Sequence, residues 1–75
     1  MIIHILYFAV LREERNCATE TLQIDQSTSI AALFHKIFNR LPVGIRFAVN
    51  QVYVDGETAL QDGDEVAFLP PLGGG

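Results

Sequence analysis

Few side chains in this 75-residue sequence are equipped for chemistry, and their spacing scatters them. His4 lies in an apolar run and His35 on the polar side of a helical segment. With Cys17 as the single cysteine, they form no set with metal-ligand spacing. Cys17 falls just before a strand-like segment and reads as a small filler rather than a nucleophile. Asp62 and Asp64 flank Gly63; a turn accounts for them better than a calcium loop, whose other oxygen ligands are missing. Gly73, Gly74 and Gly75 are followed by no lysine and no helix, so they make no phosphate cradle. By elimination the chain is expected not to turn over a substrate alone. What remains is the carboxylate of Gly75.

That carboxylate ends the stretch "FLPPLGGG". Pro70 and Pro71 lock φ and favour an extended exit from the preceding strand. The arm 70–75 can reach roughly 20 Å at ~3.3 Å per residue. Gly73, Gly74 and Gly75 carry no side chains, so the arm fits a channel too narrow for other residues. With so little to offset ordering entropy, it is expected to be a flexible tail that orders on a partner. An ionised carboxylate is a poor electrophile, but a mixed anhydride with AMP is open to a sulfur or amine nucleophile. A glycine terminus hinders that carbonyl least.

The body that carries the arm is expected to be one small domain, 1–69. A hydrophobic fraction of 49% allows a core, and 19% charged residues is low enough to suggest apolar surface reserved for a partner. A formal net charge of −4 argues against a phosphate backbone as ligand, so no nucleic acid is expected, and it suits a basic partner surface. One cysteine fits a reducing cytoplasm. The opening "MIIHILYFAVL" lacks a basic flank and a cleavage site and is too short for a bilayer, so no membrane association is expected.

Residues 2–9 read as a strand, "REERN" as a turn or loop, and "TETLQI" (19–24) as the hairpin partner of the first strand. Ser27 and Thr28 are the expected N-caps of the next segment. There Ile30, Leu33, Phe34, Ile37, Phe38 and Leu41 form one apolar helical stripe, stopped by Pro42. "IRFAVN", "VYV" and "EVAFL" read as strands, with turns at 55–56 and 62–64. The expectation is an α+β β-grasp fold, a mixed sheet of four to five strands on one main helix. Strand parity adds a prediction. His4 marks Leu6 and Phe8 as pointing away from the helix, and Glu65 does the same for Ala67 and Leu69. With one helix to cover two sheet faces, Leu6, Phe8 and Leu69 are expected to form a modest outer binding patch.

"LYFAVLRE" at 6–13, "AVNQ" at 48–51, "DGDEVAFLPP" at 62–71 and the terminal Gly-Gly together resemble the small subunit of molybdopterin synthase, the MoaD family, along the whole chain in order. The resemblance implies a sulfur carrier that is itself a non-catalytic, sulfur-donating subunit. An E1-like activating enzyme would use ATP to adenylate Gly75, and sulfur would then replace an oxygen to give a thiocarboxylate. No cofactor would be bound by the chain. The tail, Pro70, Pro71, Leu72, Gly73 and Gly74, would insert into a large subunit within a heterotetramer. The thiocarboxylate would there give sulfur to cyclic pyranopterin monophosphate, building the molybdopterin dithiolene. Phe8 and Arg12 match the aromatic and basic positions of the family's "FAxLRE" start, near the large-subunit contact. Gly73 stands where family members often carry another residue.

Three other readings fit parts of this pattern. The thiamine-pathway sulfur carrier shares the fold, an "NQ" segment, "DGD" and Gly-Gly, but typically lacks "FLPP" and "FAxLRE". A ubiquitin-like protein modifier would join Gly75 to target lysines. A plain β-grasp interaction module would tolerate truncation of the tail.

Overall fold

The alternating and helical patterns resolve into five strands and two helices in the computed structural model, which describes residues 1–71. In chain order these are β1 (Ile2–Tyr7), α1 (Ala9–Arg15), β2 (Thr19–Gln23), α2 (Ile30–Phe38), β3 (Arg46–Val49), β4 (Val52–Val54) and β5 (Glu65–Leu69). The sheet order is β2-β1-β5-β3-β4, parallel between β1 and β5 and antiparallel elsewhere. This is the expected α+β β-grasp arrangement. It places the last strand, and the exit of the tail, beside the first.

Parity sorts β1 and β5 as predicted. Ile3, Ile5 and Tyr7 of β1, Val66 and Phe68 of β5 and Phe47 of β3 are buried together with Ile30, Leu33 and Phe34 of α2. The Phe34 ring meets Phe38 at 4.6 Å and Phe68 edge-on at 5.3 Å. Such offset and T-shaped contacts suit the ring quadrupole and add to simple burial.

α2 is capped by Ser29, whose Oγ accepts the Ala32 N–H at 3.1 Å, and not by Ser27 or Thr28. Thr28 instead turns its hydroxyl back to the Asp25 carbonyl, and Ser27 sits at φ 66 in the preceding turn. The helix also ends earlier than Pro42. Asn39 adopts the left-handed conformation at φ 57 and donates its N–H to the His35 carbonyl, a common helix stop. Leu41 therefore leaves the stripe and is 69% exposed.

The larger correction is α1. "REERN" was expected to be a turn or loop, and the first strand to run to residue 9. The strand stops at Tyr7 and the chain turns into a helix that buries Leu11 completely. Asn16, left-handed at φ 58, closes it by donating to the Arg12 and Glu13 carbonyls. One buried residue among exposed charges leaves almost no periodic signal, which is why the segment reads as a loop.

Two turns tie the strands. Asn50 and Gln51, at φ 50 and φ 70, form the two-residue link of the β3–β4 hairpin, where both positions require left-handed backbone. Around Gly63 the carboxylates serve the backbone. Asp62 accepts the Ile2 N–H, while Asp64 accepts from Gln61 N–H and from the Asn50 amide. Asn50 in turn accepts the Glu65 N–H at 3.0 Å. The "NQ" and "DGD" segments thus clamp β5 in register with its neighbours.

Candidate functional site

Both helices lie on one side of the sheet. Leu11 of α1 belongs to the same buried cluster as Phe34, and Arg40 donates two hydrogen bonds to Glu14 of α1, at 2.7 and 2.9 Å. The other face is left uncovered. Its central row runs across four strands, because Leu6 pairs with Ala67, Ala67 with Ala48, and Ala48 with Tyr53. Leu69, paired with Arg46, begins the next row toward the tail. Phe8 follows β1 as Leu69 follows Phe68, beyond the last parallel pair of Tyr7 and Phe68.

Leu6 and Leu69 are thereby brought onto one face, half-buried, with Phe8 at 42% exposure at the end of β1. Arg12 is placed differently, exposed on α1 one turn after Phe8, whose carbonyl accepts the Arg12 N–H. Val10 is exposed beside them. Ala9, at φ 50, makes the bend that leads from β1 into α1. This left-handed backbone is uncommon for a residue with a Cβ.

An ionic network anchors α1 from below. Glu20 of β2 accepts the Tyr7 hydroxyl at 2.7 Å and both Arg15 Nη2 contacts at 2.7 Å. The Arg15 hydrogen bonds, then that of Tyr7, hold the Glu20 carboxyl below the usual carboxylate range. Burial, then the hydrogen bond to Glu20, pushes the Tyr7 phenol well up. This network lies on the helix side of the sheet, away from the open face.

At the root of the tail, Pro70 is half-buried and Pro71 exposed. Pro71 passes close to Gly44, whose φ of 75 suits glycine; a Cβ there would lie 3.8 Å from the proline ring. Arg46, Tyr53, Leu69, Pro70 and Pro71 line a shallow groove at this point. The Arg46 guanidinium carbon sits over the Tyr53 ring, 4.2 Å from its centroid. Leu72, Gly73, Gly74 and Gly75 lie outside the described residues. Arg46 and Tyr53 were not anticipated as site residues. Applying parity to "VYV" would have turned Tyr53 outward, but its meeting with Arg46 depends on the β3–β4 register.

Fold, open face and proline-led exit together define the chain as a ubiquitin-like β-grasp domain. The chain belongs to the ThiS family, which matches it over residues 5–75, and within that family to the MoaD group that its sequence resembles. It is 37% identical to the molybdopterin synthase sulfur carrier subunit of Chlamydomonas reinhardtii, with all of both chains covered. The human protein of that name is also 37% identical, over 97% of this chain and 93% of the relative. Among solved structures, small archaeal modifier protein 1 from Haloferax volcanii superposes with a TM-score of 0.83 at 20% identity, covering both chains fully. A putative molybdopterin converting factor subunit 1 from Pyrococcus furiosus gives 0.80 at 23%, over 96% of this chain and 99% of that one. A chain from the complex of molybdopterin-converting factor subunits 1 and 2 of Helicobacter pylori gives 0.67 at 21%, again over both full lengths. At these identities the structural likenesses speak for the fold.

Proposed function

We propose that this chain is the sulfur-carrying small subunit of a molybdopterin synthase. The observation that carries the reading is the full-length 37% identity to proteins named molybdopterin synthase sulfur carrier subunit. The geometry agrees with it. The sheet offers an open apolar face, and Pro70 and Pro71, which follow β5, leave from the edge of that face.

In this reading an E1-like partner supplies the ATP chemistry. A carboxylate oxygen of Gly75 attacks the α-phosphorus of ATP, and pyrophosphate leaves. A sulfide-level nucleophile then attacks the acyl adenylate carbon and AMP departs, leaving a thiocarboxylate. In the large subunit the thiocarboxylate sulfur bonds to an oxygen-bearing carbon of cyclic pyranopterin monophosphate as that carbon–oxygen bond breaks. The oxygen leaves as water or with the phosphate as the cyclic ester opens. Water cleaves the acyl–sulfur bond, so the sulfur stays on the substrate and Gly75 returns to a carboxylate. Two such transfers give the dithiolene. The body of the chain binds and aims the arm. Leu6, Phe8, Leu69 and Arg12 contact the large subunit, while Pro70 and Pro71 keep the arm extended.

The test is reconstitution. Thiocarboxylated chain mixed with the large subunit and cyclic pyranopterin monophosphate should form the dithiolene while the carrier returns to its carboxylate mass. Sulfur delivery only to a thiazole-forming enzyme would reassign it to the thiamine pathway, and isopeptide conjugates without sulfur transfer would reassign it as a modifier.

A further inference from the structure

The chain is acidic overall, with nine acidic residues against five basic ones, yet it distributes its cations unevenly. Four of the five sit on the helix-bearing side. Arg15 is bound to Glu20 and Arg40 to Glu14, while Arg12 of α1 and Lys36 of α2 are exposed without an ion pair among the described residues. Arg46 stands on the opposite, open face. It is exposed, and among the described residues no carboxylate lies within ion-pair distance of it. Tyr53, itself 62% exposed, supports it from the neighbouring strand at 4.2 Å, closer than the other guanidinium–ring contacts of the molecule.

A cation–π contact of this kind restricts an arginine without neutralising it. A guanidinium presents several N–H donors in a fork that matches a carboxylate, and restricting it beforehand lowers the ordering cost of binding. The location matters as much as the chemistry. Arg46 pairs with Leu69, the last residue of β5, and lines the groove with Pro70 and Pro71. An anion bound here would sit where the arm begins, next to the apolar row of Leu6, Ala67, Ala48 and Tyr53. Net charge predicts a basic partner surface; this part of the face is complementary to an acidic one.

We propose that Arg46, held over Tyr53 beside Leu69 and Pro70, receives an Asp or Glu side chain of the protein that docks on the open face, and so fixes the direction in which the arm leaves the body. The proposal rests on the sulfur-carrier reading for the identity of that partner, the synthase large subunit. The ion pair supplies orientation at the rim, and the apolar row supplies the buried area.

Titration of the wild-type chain and its variants with the large subunit, at low and high salt, tests this. Arg46→Gln should weaken association by about tenfold at low salt and flatten its salt dependence. Its thermal melt should match the wild type because Arg46 is exposed. Arg46→Lys, which keeps the charge but loses the fork, should fall between the two. Arg46→Glu should bind more weakly still and be restored by an Asp→Lys or Glu→Lys change in the large subunit. Unchanged binding of Arg46→Gln overturns the proposal while leaving the carrier reading in place. Weakening equal at low and high salt also overturns it, since a carboxylate partner would be screened. Failure of the wild type itself to bind the large subunit removes both.

Discussion

Phe34→Ala tests the packing that holds the open face in position. Phe34 is fully buried, with Phe38 at 4.6 Å, Phe68 at 5.3 Å and the Arg40 guanidinium at 5.8 Å. Core Phe→Ala changes cost about 3–5 kcal/mol, and two lost aromatic pairs put this one near the top of that range. A 75-residue domain at about 0.05–0.15 kcal/mol per residue holds only roughly 4–11 kcal/mol in all. At about 4–8 °C per kcal/mol, the midpoint should drop by roughly 20 °C or more. Circular dichroism melts and urea titrations would read this. Leu41→Ala is the control. Leu41 belongs to the same sequence stripe but lies beyond the end of α2 and is 69% exposed, so it should melt within a few degrees of the wild type. A drop of only a few degrees for Phe34→Ala, or equal drops for both variants, would refute the placement of α2 on the sheet.

Phe8→Ala should reverse that ranking, weakening association with the large subunit by about 1 kcal/mol or more while changing stability less than Phe34→Ala; unchanged affinity with a large stability loss would move Phe8 into the core. Gly56→Ala should destabilise by about 1–3 kcal/mol, because the new Cβ would lie 3.0 Å from that of Ala31 and 3.2 Å from the Phe47 ring; an unchanged melt would show that the loop yields freely. Stability should also depend on pH at both ends. Glu20 and Glu14 have carboxyls held low by Arg15 and Arg40, so their contribution is present above the unfolded value of about 4.3 and lost as pH falls through the folded values. The raised Tyr7 phenol acts oppositely, with stability falling as pH climbs past about 10. In Glu20→Gln the acid-side loss should shrink, and an identical acid limb in wild type and variant would exclude Glu20 as a contributor.

The parts of the molecule set by repeating patterns were legible from its residues. The stripe from Ile30 to Phe38 defined α2, and single polar markers, His4 and Glu65, oriented β1 and β5 correctly. Those signals survive because burial selects residue type at every second or every third and fourth position. α1 escaped because Leu11 alone is buried there, and the bend that starts it lies at Ala9, a residue with no turn preference of its own. The choice of Ser29 over Ser27 and Thr28 is a matter of local backbone geometry among near-equivalent side chains. Leu6, Phe8 and Leu69 could be placed outward one strand at a time. Arg46 meeting Tyr53 needed the pairing of two strands, which parity within either strand does not contain.

Under the proposed function Gly75 carries sulfur, and intact mass reads that exchange on the chain itself. Wild-type chain incubated with its activating enzyme, ATP and a sulfur source should gain the mass of one oxygen-to-sulfur exchange. A variant with one residue added after Gly75, and one lacking Gly75, should gain nothing while melting like the wild type. Equal mass gain by the extended variant, or none by the wild type in a mixture that thiolates another carrier, would rule out Gly75 as a sulfur carrier.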